Sequence, residues 1–171
     1  MMKMIGIALG LVVVLSACGD GGTTPTPVTV APTPAPPATP APAPVETTVR
    51  YASRDVPKDI PNNTRTTSAL TIPDRGTILD ISVDVTITHT WRGDVDVYLR
   101  HPDGTMVDVF RGNPPDSRDD VVGVFTTATA PQLANIMNKD TQGTWTLVVD
   151  DTQTQDKGRL LDWALVLRVR R

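Results

Sequence analysis

The chain has 171 residues, a formal net charge of −3 and 39% hydrophobic residues, enough for one cored domain with material left over. It carries no basic run, which excludes nucleic acid as the expected partner. Aspartate outnumbers glutamate 18 to 1, a bias toward turns and loop-borne cation ligands and away from helices.

The N-terminus begins with the short basic segment Met1-Met2-Lys3, followed by an uncharged apolar run from Met4 to Ala17. That run is too short to span a hydrocarbon core of roughly 30 Å, but it fits the apolar region of a signal peptide. It ends in Leu15-Ser16-Ala17-Cys18, which resembles the bacterial lipobox. The resemblance implies a signal peptide over residues 1–17 and a lipid on Cys18. Cys18 is the only cysteine, so the exported chain forms no internal disulfide. Two or three acyl chains on one residue would hold the protein stably on a membrane. In such lipoproteins an aspartate directly after the cysteine favours the inner membrane. Gly19 stands there, so the outer membrane is expected where the organism has one.

Residues 18–46 read as a tether. Nine of the 16 prolines fall between Thr23 and Val45, mixed with Thr, Ala and Val. Such a segment populates polyproline II and cannot build a ladder, and at about 3.1 Å per residue it reaches on the order of 70 Å.

Residues 47–171 read as the folded domain. Leu79, Ile81, Val83, Val85, Ile87 and His89 alternate with polar residues, the period-2 pattern of a strand with one buried face. Val95, Val97 and Leu99 repeat it. His101-Pro102-Asp103-Gly104 then predicts a turn that folds a strand over Met106–Phe110 back as a hairpin. Further strands are expected at Val121–Phe125, around Trp145, Leu147 and Val149, and through Leu161, Trp163, Leu165, Leu167 and Val169. Only Gln132–Asn138 hints at a helical turn. Short strands separated by turns predict an all-β, antiparallel β-sandwich. Trp145 and Trp163 fall on apolar strand faces and are expected in the core. Gly143 and Gly158 each precede a strand, as turn or bulge glycines do.

Five segments occur in order across this domain: Ile60-Pro61-Asn62-Asn63, His89-Thr90-Trp91-Arg92-Gly93-Asp94-Val95, His101-Pro102-Asp103-Gly104-Thr105, Gly143-Thr144-Trp145-Thr146-Leu147-Val148-Val149-Asp150, and Gly158-Arg159-Leu160-Leu161-Asp162-Trp163-Ala164-Leu165. Together they resemble the P domain (Homo B domain) that follows the catalytic domain in proprotein convertases and bacterial subtilisin-like proteases. The resemblance implies an eight-stranded jelly roll of the galactose-binding-like type that stabilises or modulates a serine protease. Asn62 and Val95 depart from the family's usual Asp and Leu.

No catalytic constellation is expected. The histidines are His89, closing an inward strand face, and His101, in a turn. Ser53, Ser68, Ser82 and Ser117 lack the context of an activated nucleophile. Asp94 and Asp96, with Asp150, Asp151 and Asp156, read either as solvated turn residues or as ligands for calcium, which takes six to eight oxygens. Trp91 is the aromatic placed to contact a ligand. The expected function is a monomeric, lipid-anchored, non-catalytic module binding a protease or another envelope protein. The alternative is a carbohydrate-binding module working through Trp91 and Tyr98.

Overall fold

The computed structural model describes residues 43–112 and 116–171. Cys18, the signal region and most of the tether lie outside the described residues. Nine strands form in chain order: β1 (Glu46–Ala52), β2 (Lys58–Ile60), β3 (Arg65–Ile72), β4 (Thr77–His89), β5 (Val95–Arg100), β6 (Met106–Arg111), β7 (Val121–Thr126), β8 (Gly143–Asp151) and β9 (Gly158–Arg170). Glu46, placed in the tether by the sequence reading, is the first residue of β1 and pairs with Arg170.

All pairs are antiparallel and build two sheets, one ordered β1-β9-β4-β7 with β2 added to β9, the other β3-β8-β5-β6. Apart from the short β2, this order is a jelly roll. Among the named strands only β5 and β6 are paired neighbours in sequence, as the turn His101-Pro102-Asp103-Gly104 requires; Gly104 sits there at φ +93°.

The core lies between the sheets. Ile81, Val83, Val85 and Ile87 of β4 and Leu165 and Leu167 of β9 face Val97 and Leu99 of β5 and Leu147 and Val149 of β8. Each such side chain contributes about 1.5–3 kcal/mol by leaving water. Trp145 and Trp163 are fully buried, as expected. Each satisfies its indole N–H: Trp145 Nε1 donates to the Thr141 carbonyl at 2.9 Å, and Trp163 Nε1 to Ser68 Oγ at 2.8 Å.

Two leucines expected inward are not. The β4–β9 register shifts between Ile78 and Asp80 on β4, leaving Leu79 as the extra residue and Ile78 buried in its stead. It shifts again opposite Thr86 and Ile87, where Leu161 is the extra residue, exposed, while Leu160 is buried. A bulge inserts one residue and turns its side chain away from the ladder, so period-2 counting from the far side misplaces it. β3 was not predicted as an element, because its inward positions Thr66 and Ser68 are polar. The helical turn predicted over Gln132–Asn138 forms as a 3-10 helix at Pro131–Ile136.

Candidate functional site

At one end of the sandwich, the loop after β4 meets the loop between β8 and β9. The organising contact is His89 with Asp151. His89 Nε2 lies 3.3 Å from Asp151 Oδ2, and Nδ1 lies 2.9 Å from the Trp91 carbonyl oxygen. The second Asp151 oxygen accepts the Gln153 N–H at 3.0 Å and so begins the loop turn. Gly158 closes that loop against the histidine. A Cβ there would come 2.3 Å from the Thr88 carbonyl oxygen and 2.6 Å from the His89 ring, which only glycine avoids.

The loop is held at three further points. Thr152 donates from both its N–H and its Oγ1 to the Asp94 carbonyl, at 2.9 and 3.0 Å. Thr90 Oγ1 donates to Asp156 Oδ1 at 2.6 Å, and Asn62 Nδ2 to the Thr154 carbonyl at 2.7 Å. Asn62, where the resembled family often has Asp, thus acts as a donor. The result is a cavity of about 320 Å³ lined by Trp91, Asp94, Gln153, Thr154, Gln155 and Asp156. Trp91, 37% exposed, forms one wall.

The five aspartates singled out by sequence do not converge. Asp94 and Asp156 share the cavity, with Asp151 buried behind them against His89. Asp96 is engaged by Arg111 Nη1 at 2.8 Å and by the Gly112 N–H. Asp150 is clamped by Arg65 through Nε and Nη2, at 2.7 and 2.6 Å. Both point into ion pairs on the outside of the second sheet. Among the described residues, no group of three or more His, Cys, Asp or Glu side chains is arranged to hold a metal ion. Asp94 differs from the others because its carboxylate accepts no hydrogen bond among the described residues. Its own burial first, and then the Asp156 and Asp151 charges, raise its pKa above the ordinary carboxylate value.

Among the described residues, no serine, threonine or cysteine side chain is hydrogen-bonded to either histidine ring. His89 is occupied at both nitrogens. His101 Nε2 lies 2.9 Å from the Asp140 carbonyl, its Nδ1 accepts the Asp103 N–H, and its ring meets Trp145 edge-on at 4.6 Å. Ser53 and Ser68 hydrogen-bond to each other and to backbone in the core. These are structural roles.

The family described as the proprotein convertase P-domain matches residues 78–167. The chain is 37% identical over 83 residues to the leupeptin-inactivating enzyme 1 of Streptomyces exfoliatus, covering 48% of this chain and 17% of that protein. It is 33% identical over 107 residues to a calcium-dependent protease of Nostoc sp., covering 60% of this chain and 16% of that one. The chain thus spans about a sixth of the length of these relatives. Among solved structures, the serine protease of Aeromonas sobria, in complex with its chaperone, superposes with a TM-score of 0.53 at 18% identity, over 78% of this chain and 28% of that one. That likeness concerns the fold.

Proposed function

Because the chain belongs to the proprotein convertase P-domain family, we propose that it is a non-catalytic accessory module, lipid-anchored at the cell envelope, that binds and modulates a protease. The observation that carries the reading is the use of His89 and His101. The histidines that a serine-protease triad would need are locked into the scaffold by Asp151, Trp91, Asp140 and Asp103. What stands on the surface is a built loop end rather than a reacting group. The relative from Nostoc sp. is a protease by name.

Anchoring rests on Cys18 and on the lipobox-like Leu15-Ser16-Ala17-Cys18. The tether then holds the sandwich clear of the lipid, with the outer membrane as the expected location where there is one. Cys18→Ala should abolish labelling with radioactive palmitate and release the protein from the membrane fraction; a variant that still labels overturns the anchor. For the partner, the full chain should be recovered from native envelopes in mild detergent together with a serine protease whose thermal inactivation slows when the chain is present. Identical inactivation with and without it overturns the modulatory reading.

A calcium ion is proposed as a ligand of the loop end. Asp94 and Asp156 supply carboxylates, and Gln153, Thr154 and Gln155 bring further oxygens to the same cavity. The donors are all oxygen, as calcium prefers, and the Asp94 carboxylate accepts no hydrogen bond among the described residues. A bound cation would compensate the burial of Asp94 and offset the Asp156 and Asp151 charges beside it. The alternative, glycan binding, is favoured by one observation only, the Trp91 wall of that cavity.

A further inference from the structure

We propose that the free edge of β7, together with the seam beside it, captures an extended segment of a partner protein by strand addition. This deepens the partner-binding reading by giving that partner a docking edge that starts beside His89, where the Asp120 N–H meets the His89 carbonyl, and runs from there along β7.

Exposed sheet edges carry unpaired backbone donors and acceptors, and soluble proteins blunt them with charge, proline or bulges. Here β1 carries Glu46 and Arg50, β2 Lys58 and Asp59, β3 Arg65, and β6 Asp108 and Arg111. β7, Val121-Val122-Gly123-Val124-Phe125-Thr126, carries no charge, has no bulge in its pairing with β4, and turns Val122 and Val124 to solvent at 65% and 58% exposure. It is the one unguarded edge among the described strands.

The seam beside it is open. β6 ends the other sheet on the same side, and the sheets meet there through Phe110 and Phe125, whose ring centroids are 6.0 Å apart. Gly123 lies on the inward side of β7 with Val121 and Phe125, yet a Cβ added to it would meet nothing within 4 Å. Farther along lies a cavity of about 320 Å³, with Phe110, Phe125, Ala130 and Pro131 in its wall. An incoming strand would therefore gain backbone hydrogen bonds from β7, contact with Val122 and Val124 for its outward side chains, and room in the seam for its inward ones.

These features select the occupant. A second copy pairing β7 with β7 has nothing to insert, since its own inward residues at that strand are Val121 and Phe125, already packed on its core, and Gly123. An isolated extended segment has free side chains on both faces. Charge adds a polarity. Asp119 and Asp120 immediately precede β7, and Asp162 lies in the same cross-sheet row as Val122; none of the three is in an ion pair among the described residues. The segment is thus apolar or β-branched, with a cationic residue at the end that meets the start of β7. For antiparallel addition that is its C-terminal end.

The test uses the full chain in mild detergent and the peptide Thr-Val-Thr-Val-Thr-Val-Lys-amide, with fluorescein joined to its N-terminus through an aminohexanoyl spacer so that the lysine keeps its charge, read by fluorescence anisotropy. Saturable binding is expected. It should weaken by at least about tenfold when alternate peptide nitrogens are methylated, which removes strand hydrogen bonds but not apolar surface. The double variant Val122→Lys/Val124→Lys, at exposed positions that leave the core intact, should weaken it similarly, with an unchanged melting curve as proof of folding. Gly123→Val, which fills the seam, should also weaken it. No saturation up to about 1 mM peptide, or binding indifferent to methylation and to the lysines, overturns the proposal. So does concentration-dependent dimerisation abolished by the lysines without peptide binding, which would assign the edge to a second copy. If the lysine variant still recovers a protease from envelopes, the edge reading fails and the accessory reading stands. Peptide binding with no protease recovered leaves the reverse.

Discussion

Nε2 of His89 lies 3.3 Å from Oδ2 of Asp151, and both side chains are wholly buried. The pair ties the end of β4 to the end of β8 across the sandwich, and the Trp91 turn and the Asp151–Gly158 loop are both built from it. Removing one partner of such a pair leaves the other buried without compensation. Asp151→Ala should therefore cost about 3–5 kcal/mol, measured by urea denaturation. A double-mutant cycle with His89→Ala should show the two losses to be far from additive. A loss below about 1 kcal/mol would mean that the contact is incidental.

Gly158 and Gly123 form a matched test of the backbone. Alanine at 158 must displace the Thr88 carbonyl or the His89 ring, and should destabilise by about 1–3 kcal/mol. Alanine at 123 meets open space and restricts the unfolded chain, so it should be neutral or stabilise by up to about 1 kcal/mol. Equal effects at the two positions would contradict the packing described.

Trp163 and Ser68 share the central hydrogen bond of the core. Ser68 Oγ accepts the indole N–H at 2.8 Å and also contacts Ser53 Oγ and the Asp55 carbonyl. Ser68→Ala strands the buried indole N–H and should cost about 1–3 kcal/mol. Trp163→Phe, which removes the donor along with part of the ring, should strand no indole. Thermal melts of the two variants and their double mutant will show whether the bond or the volume dominates.

Asp103 provides the pH test. The Lys139 ammonium, then the Thr105 N–H and hydroxyl, hold its carboxyl well below the ordinary carboxylate range. A depressed pKa contributes stability at pH above the unfolded value of about 3.9, and that contribution is lost as pH falls through the folded value. Asp103→Asn should lower the melting temperature at pH 7. The gap to the wild type should begin to narrow as pH falls below about 4 and go on narrowing as acid approaches the folded value. Because the side chain is exposed, solvent and salt screen the effect, and it should also shrink in 1 M salt. A gap that widens on acidification would reverse the assignment.

Calcium should raise the melting temperature by a few degrees at about 5 mM, corresponding to about 1 kcal/mol for a dissociation constant near 10⁻³ M. Asp94→Asn and Asp156→Asn should each remove the shift. Asp96→Asn and Asp150→Asn, whose carboxylates serve Arg111 and Arg65, should leave it in place. Identical curves in calcium and EDTA would return Asp94 and Asp156 to the status of loop residues.

Period-2 alternation in the sequence was sufficient for β4, β5, β8 and β9, for most of the core they bury and for the burial of Trp145 and Trp163, because strand side chains alternate whatever the strand pairs with. The turn at His101–Gly104 was legible for the same reason: proline and glycine act through their own backbone. What the tertiary structure decided depends on partners distant in the chain. Leu79 and Leu161 are turned out by bulges that exist only in the β4–β9 register. Thr66 and Ser68 are buried on β3 because Asp59 and Trp163 supply hydrogen bonds that a local pattern cannot foresee. The aspartates looked alike in sequence. Folding assigned Asp96 to Arg111, Asp150 to Arg65 and Asp151 to His89, and left Asp94 beside Asp156. Those assignments rest on electrostatic and steric fit between residues as far as 85 positions apart, which no local spacing encodes.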